Sequence, residues 1–231
     1  MATARVNGIE LYYELHGSGP AVTVIPGLGT DSRLFSPIVM ALARGHQVLA
    51  FDPRGAGRSE KPDIPYSAEG MADDTVALLD EVGMQSATVV GYSMGGRIGL
   101  SLALRHPNRV RSLLLAATSA RTPPTRFLTW RWFMMDVVSR IRLPVDPQPR
   151  YAQQRQRDAF RTFDCSECLG QITVPTTVIH GRDDRITPYS FALELQRGIP
   201  ECRLVTVKGG HFSLLMSQRC HLIEEAEALA G

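Results

Sequence analysis

A chain of 231 residues holds one domain, or one domain carrying an insertion, and is long enough to bury a sizeable core. Its apolar fraction of 44% and charged fraction of 21% are those of a globular protein, and no run approaches the roughly 18–20 apolar residues of a membrane helix. A net charge of +2 argues against nucleic acid as the main partner.

The opening "MATARVNGIELYYELHG" lacks the charged, apolar and small-residue succession of an export signal, so a cytoplasmic location is expected. It reads instead as paired strands, "ARV" and "IELYYEL", around Asn7-Gly8, the dipeptide of a tight hairpin. "AVTVIPG" (21–27) is a short apolar run closing on Pro-Gly, the pattern of a strand buried on both faces. A helix around Phe35–Arg44 leads to a second buried strand, "QVLAFD" (47–52). After a Gly- and Pro-rich loop, residues 67–83 space Met71, Val76, Leu79 and Val82 for a helix, with Ser67 to cap it and Gly83 to end it. "ATVVGYS" is the third buried strand, "MGGRIGLSLALRHP" the helix behind it, and "VRSLLLAAT" (110–118) the fourth strand. "VPTTVIHG" (174–181) and "CRLVTVKG" (202–209) add two more, with helices near 188–197 and 217–230. Strands alternating with helices require right-handed crossovers, hence an α/β fold with a mostly parallel central sheet and helices on both faces.

Residues 119–170 break this rhythm. Pro123-Pro124, "RFLTWRWFMMDVVSRIRL", "PVDPQP" and the polar "RYAQQRQRDAFRTF" carry no strand signal. They predict a short helical insertion into a core domain made of residues 1–118 and 171–231. Residues 120–162 hold nine arginines against Asp136, Asp146 and Asp158, so the rest of the chain is net negative. Cys165 and Cys168 form one C-x-x-C, without the second pair or the two histidines of a zinc site and without the strand-then-helix setting of a redox pair. Reduced thiols are expected there. The histidines have no metal-ligand spacing, so neither a metal nor a cofactor is expected.

Gly91-Tyr92-Ser93-Met94-Gly95 fits G-x-S-x-G at the point where a strand becomes a helix. A nucleophilic serine must stand on a sharp turn with its hydroxyl clear of the sheet, which small neighbours permit, and the helix start favours developing negative charge. The hydroxyl needs a base, and the base an orienting group. Open α/β sheets gather such groups at the carboxyl ends of their strands. "VIHGRDDRITP" puts Asp183 and Asp184 beyond one strand, and "VKGGHFSLL" puts His211 beyond the next. These positions leave the choice between the two acids open.

Serine, acid and histidine in that order is the chain order of the α/β-hydrolase fold, and the chain resembles that family from about Asn7 to its end. The resemblance rests on the elbow "GYSMGG", the acid loop "HGRDD…P", the "GGH" loop, and "FDPRGAGRS" (51–59), which is similar to the D-x-R-G-x-G-x-S stretch of many such enzymes. The family pattern G-x-x-D-x-x-x-P runs from Gly181 through Asp184 to Pro188, which implies Asp184 as the acid, Asp183 as a solvated or loop-bracing carboxylate and His180 as a brace of the acid loop. It also implies an oxyanion hole from the backbone N–H groups of Met94 and Leu28. Relatives usually carry His-Gly before that second donor, where this chain has Pro26-Gly27.

The insertion is then implied to be a lid, with Trp130, Phe133, Ile186 and Phe212 as candidate substrate-binding residues. Its arginines solvate the outer face or attract an anionic partner, an acidic acyl carrier protein or a coenzyme A thioester. Methyl esterases acting on pimeloyl carrier protein resemble the latter arrangement. The implied activity is that of a serine esterase cleaving a small-molecule carboxylic ester, thioester or lactone. "GLGTD" (27–31) resembles a segment of 3-oxoadipate enol-lactonases, and the Ser-Met elbow is similar to that of cofactor-free haloperoxidases and perhydrolases. Carbon–carbon bond hydrolases use the same triad, and receptor-like relatives can retain it while only binding a ligand. Haloalkane dehalogenases are disfavoured, since their nucleophile is an aspartate.

Overall fold

A computed structural model describes residues 2–122 and 148–231. Its strands are β1 (Ala2–Val6), β2 (Ile9–His16), β3 (Ala21–Ile25), β4 (Gln47–Phe51), β5 (Ala87–Tyr92), β6 (Val110–Ala116), β7 (Thr176–Gly181) and β8 (Arg203–Val207). They form one sheet in the order β1-β2-β4-β3-β5-β6-β7-β8. The β1–β2 hairpin turns at Asn7 and Gly8, whose φ angles of 49° and 80° suit the tight turn that Asn-Gly favours. β2 also pairs antiparallel with β4, and every other neighbouring pair is parallel.

The helices are α1 (Ser36–Leu42), α2 (Ala68–Glu81), α3 (Met94–Arg105), α4 (Arg150–Arg161), α5 (Tyr189–Gly198) and α6 (Arg219–Ala230). Alternating strand residues serve the two faces of the sheet. Leu49 and Phe51 join the core that α2, α3 and α5 cover, while Val48 and Ala50 join the core under α1 and α6. Ser67 accepts the Gly70 N–H to start α2, and Gly83, at φ 73°, follows its end. The α/β expectation is met, with helices on both faces.

The strand order decides where a site can form. From the central pair β3 and β5 the chain winds outward to β4 on one side and through β6 to β8 on the other. That reversal opens a crevice at the carboxyl ends of β3 and β5, where their two loops diverge.

The described segments on either side of residues 123–147 are tied together. Cys165 N–H donates to the Ala120 carbonyl at 3.0 Å and Thr122 N–H to the Phe163 carbonyl at 3.3 Å, so that Arg121 and Asp164 face each other in an isolated antiparallel backbone bridge. α4 buries Ala152, Gln156 and Phe160 at four-residue spacing. It lies on the loop after β4, where Gln156 Nε2 donates to the Arg54 carbonyl at 2.9 Å and Tyr151 Oη donates to that of Lys61 at 2.8 Å. The Cys165 thiol is buried against the Ala120 carbonyl, and burial pushes its pKa up to about 12, which keeps it protonated. Among the described residues no helix is long and apolar enough to cross a membrane.

Candidate active site

Ser93 follows β5 directly, with φ 53° and ψ −110°. A non-glycine residue in such a conformation costs about 1–3 kcal/mol and persists only where its surroundings impose it. Here the Ser93 N–H donates to the Ala116 carbonyl of β6 at 2.8 Å. A Cβ on Gly95 would overlap the Ile25 carbonyl, and one on Gly91 would lie 2.5 Å from the Gly95 carbonyl oxygen. These glycines therefore allow β3, β5 and α3 to converge under the serine. Although Ser93 precedes α3, its hydroxyl does not cap the helix; Oγ stands 3.0 Å from His211 Nε2.

His211 is buried and opens a short 3₁₀ helix, His211–Leu215, after Gly209 and Gly210. Its Nδ1 is 2.7 Å from Asp184 Oδ2, so the ring donates there and presents Nε2 as the acceptor for the serine hydroxyl. Tyr92 and Phe212 pack on the imidazole with ring centroids 5.3 and 5.4 Å away. The Tyr92 hydroxyl also donates to the His211 carbonyl at 2.8 Å. That contact is invisible in the chain, where the only signal is a hydroxyl-bearing aromatic at the end of an apolar strand.

Asp184 sits three residues beyond β7 and is buried. Its Oδ1 accepts the Ile186 and Thr187 N–H groups, each at 2.8 Å. Burial pushes the carboxyl pKa up, but the His211 hydrogen bond and charge and the Thr187 N–H outweigh it and hold the group below the usual carboxylate range. His180, at 0% exposure, donates from Nε2 to the Thr187 carbonyl at 2.8 Å and lies 3.5 Å from Asp184 Oδ2. Burial holds its pKa below the ordinary histidine value, against the pull of that carbonyl and of Asp184. Asp183 is exposed instead and accepts the Gly209 N–H at 3.3 Å.

The loop after β3 completes the crevice. A Cβ on Gly27 would lie 3.4 Å from that of Ser93, so the backbone leading to Leu28 runs against the serine. Thr30 tightens this turn, its N–H and hydroxyl donating to the Gly27 carbonyl at 3.2 and 2.8 Å. Sequence reasoning did not single out Thr30. Met94 begins α3 directly after Ser93. Ile186 enters through its backbone N–H on Asp184, and Phe212 through its ring on His211. Trp130 and Phe133 lie outside the described residues. Of the arginines between residues 120 and 162, Arg121 pairs with Glu194 at 2.8 Å and Arg155 with Asp63 at 3.0 Å.

A family model described as the alpha/beta hydrolase fold matches residues 20–150, more than half of the chain. The chain belongs to the α/β-hydrolase family. With its family match and its hydrolase relatives together, it is an enzyme, a hydrolase. It is 32% identical over 245 aligned residues to a proposed carbamate hydrolase, RutD, of Azorhizobium caulinodans, with 91% of each chain covered. It is 34% identical to the corresponding RutD of Variovorax paradoxus, covering 88% of this chain and 90% of that one. Among solved structures, the enol-lactonase of Burkholderia xenovorans LB400 superposes with a TM-score of 0.89 at 26% identity, covering 99% of both chains.

Proposed function

We propose that this α/β hydrolase cleaves a small carboxylic ester or lactone through an acyl-enzyme on Ser93. The observation that carries the reading is the unbroken row from Ser93 Oγ to His211 Nε2 at 3.0 Å and from His211 Nδ1 to Asp184 Oδ2 at 2.7 Å. His211 Nε2 takes the hydroxyl proton as Oγ bonds to the substrate carbonyl carbon, and the carbonyl π pair moves onto oxygen. The Leu28 and Met94 amides hold that oxyanion, each such donor being worth about 2.7–4 kcal/mol. As the oxyanion collapses, the bond to the leaving oxygen breaks and His211 returns the proton to it. Water then repeats the sequence on the acyl-enzyme. Asp184 keeps the Nδ1–H tautomer and stabilises the imidazolium between transfers.

Likeness to the Burkholderia enol-lactonase supports an ester or lactone as substrate. A second reading, a carbamate, draws on likeness to the RutD proteins, since a carbamate offers the same kind of carbonyl to the same nucleophile. The test compares kcat/KM across p-nitrophenyl esters of graded chain length, lactones, carbamates and acyl thioesters. Higher values for esters or lactones support the first reading; higher values for carbamates select the second. Ser93→Ala should lower kcat by a factor on the order of 10⁶ and abolish fluorophosphonate labelling, with circular dichroism unchanged. Full turnover by that variant would end the proposal.

A further inference from the structure

The elbow "GYSMGG" carries a third glycine, Gly96, which the convergence of β3, β5 and α3 does not explain. Its neighbour is Thr118: a Cβ on Gly96 would lie 2.6 Å from both Cβ and Cγ2 of that threonine. Thr118 arrives there by a sharp turn. β6 ends at Ala116, Ala117 takes φ 49°, and its N–H is held by the Ile179 carbonyl at 3.0 Å. The turn buries Thr118 to 1% exposure and sets its hydroxyl 2.6 Å from the Ser93 carbonyl, to which it donates. The same carbonyl accepts the Gly96 N–H at 3.1 Å.

The Ser93 carbonyl and the Met94 N–H are the two ends of one planar peptide unit. Whatever holds the carbonyl therefore aims the N–H. We propose that Thr118 is a positioning residue for the oxyanion hole, acting through the Ser93–Met94 peptide. Its hydroxyl does two things. It resists rotation of the peptide plane, which would break the bond at the carbonyl. It also withdraws electron density from the amide, making the Met94 N–H a stronger donor, as chained hydrogen bonds do. Both effects matter most when full negative charge sits on the substrate oxygen, so they belong to kcat rather than to KM. Gly96 is the residue that makes room for this brace. The inference rests on the reading of Ser93 as nucleophile and Met94 as oxyanion donor.

Thr118→Val keeps the shape and removes the donor, whereas Thr118→Ser keeps the donor. The expected result for Thr118→Val is a kcat lower by about five- to tenfold, the size of one neutral hydrogen bond, with KM within about twofold. Affinity for a trifluoromethyl ketone, which forms a tetrahedral oxyanion adduct on serine, should fall by the same factor as kcat, and Thr118→Ser should restore both to within about twofold. A Thr118→Val enzyme that melts lower yet keeps wild-type kcat and ketone affinity overturns the inference, leaving Thr118 a brace of the fold alone. Equal losses in the valine and serine variants overturn it as well. If Thr118→Val does not fold, Thr118→Ala is read by the same criteria. Ser93→Ala separates the two levels: retained turnover there removes the nucleophile reading itself, while an inactive Ser93→Ala beside a fully active Thr118→Val removes only the role of Thr118.

Discussion

Two buried aspartates sit at the carboxyl edge of the sheet, Asp52 just after β4 and Asp184 three residues beyond β7, both with side chains at 0% exposure. Each accepts two backbone N–H groups and one nitrogen-bearing side chain. Asp52 takes the N–H groups of Ser32 and Arg58 at 2.8 and 2.9 Å and the Arg58 Nε at 2.9 Å. Asp184 takes those of Ile186 and Thr187 and the His211 Nδ1. The difference is the cation. A guanidinium never releases its proton, and Arg58 is further fixed by Glu14 at 3.1 Å and by the Tyr12 ring, 3.5 Å away. An imidazole releases one near neutral pH and carries a second nitrogen to pass it on. Both clusters reach a serine hydroxyl, but Arg58 Nη2 can only donate to Ser32 Oγ, at 2.7 Å, whereas His211 Nε2 faces Ser93 Oγ as an acceptor, so a buried carboxylate is a brace or a support for proton transfer according to its partner.

The sharpest way to break this comparison is to remove the charge of each aspartate's cluster in turn. Asp184→Asn should cut kcat by a factor on the order of 10⁴ with little change in KM, because the tautomer and the imidazolium both lose their support. Asp183→Asn should stay near wild type, and a loss below tenfold for Asp184→Asn would place the orienting acid elsewhere. Arg58→Met should act on stability instead. It strands the Asp52 carboxylate, and urea unfolding should show a loss of about 3 kcal/mol, at the low end for a buried pair because Arg58 is a quarter exposed. Its kcat per folded molecule should hold; a collapse of kcat in fully folded protein would make the Asp52 cluster part of the chemistry.

Acid sharpens the contrast from another side. Folded His180 has a pKa below its ordinary value of 6.5, so between 6.5 and that lower value the unfolded chain binds a proton that the folded one refuses. The stability this contributes is present above pH 6.5 and is lost as pH falls through the folded pKa, with a slope of at most about 1.4 kcal/mol per pH unit for one proton. Asp184, also held low, adds a loss of the same sign at lower pH. Melting temperature plotted from pH 7 downward should therefore fall less steeply in His180→Asn than in wild type; parallel curves would contradict this. The smallest effect is expected from Tyr92→Phe. It keeps the ring between Phe35 and His211 but removes the donor to the His211 carbonyl, for a loss of about 1 kcal/mol in stability and a few-fold in kcat. An unchanged melting temperature and kcat would show that the His211 loop holds without it.

Much of the fold was legible because its signals are local. Apolar runs ending in Pro-Gly or Gly mark β3, β5 and β7, the Asn7-Gly8 pair marks the hairpin, and Ser67 and Gly83 bracket α2 within a residue or two. Candidate residues were legible by type and order, since a serine between glycines at a strand end and a histidine after a later strand each stand within one short window. Thr30, Tyr92 and Thr118 were not legible. A threonine or tyrosine at a strand end is ordinary, and nothing within the segment says which distant carbonyl its hydroxyl will meet.

From the chain alone came the alternation of strands and helices, the strained position of Ser93 and the two acids that compete to partner His211, because backbone preference and hydrophobic period act over a few residues. The tertiary structure chose which groups meet. Thr118 reaches the Ser93 carbonyl across 25 positions, His211 reaches Asp184 rather than Asp183 across 27, and Tyr92 reaches the His211 carbonyl across 119. Each meeting depends on strand order and on the path of a loop, to within a fraction of an ångström. Those are properties of the packed sheet, which no stretch of sequence contains.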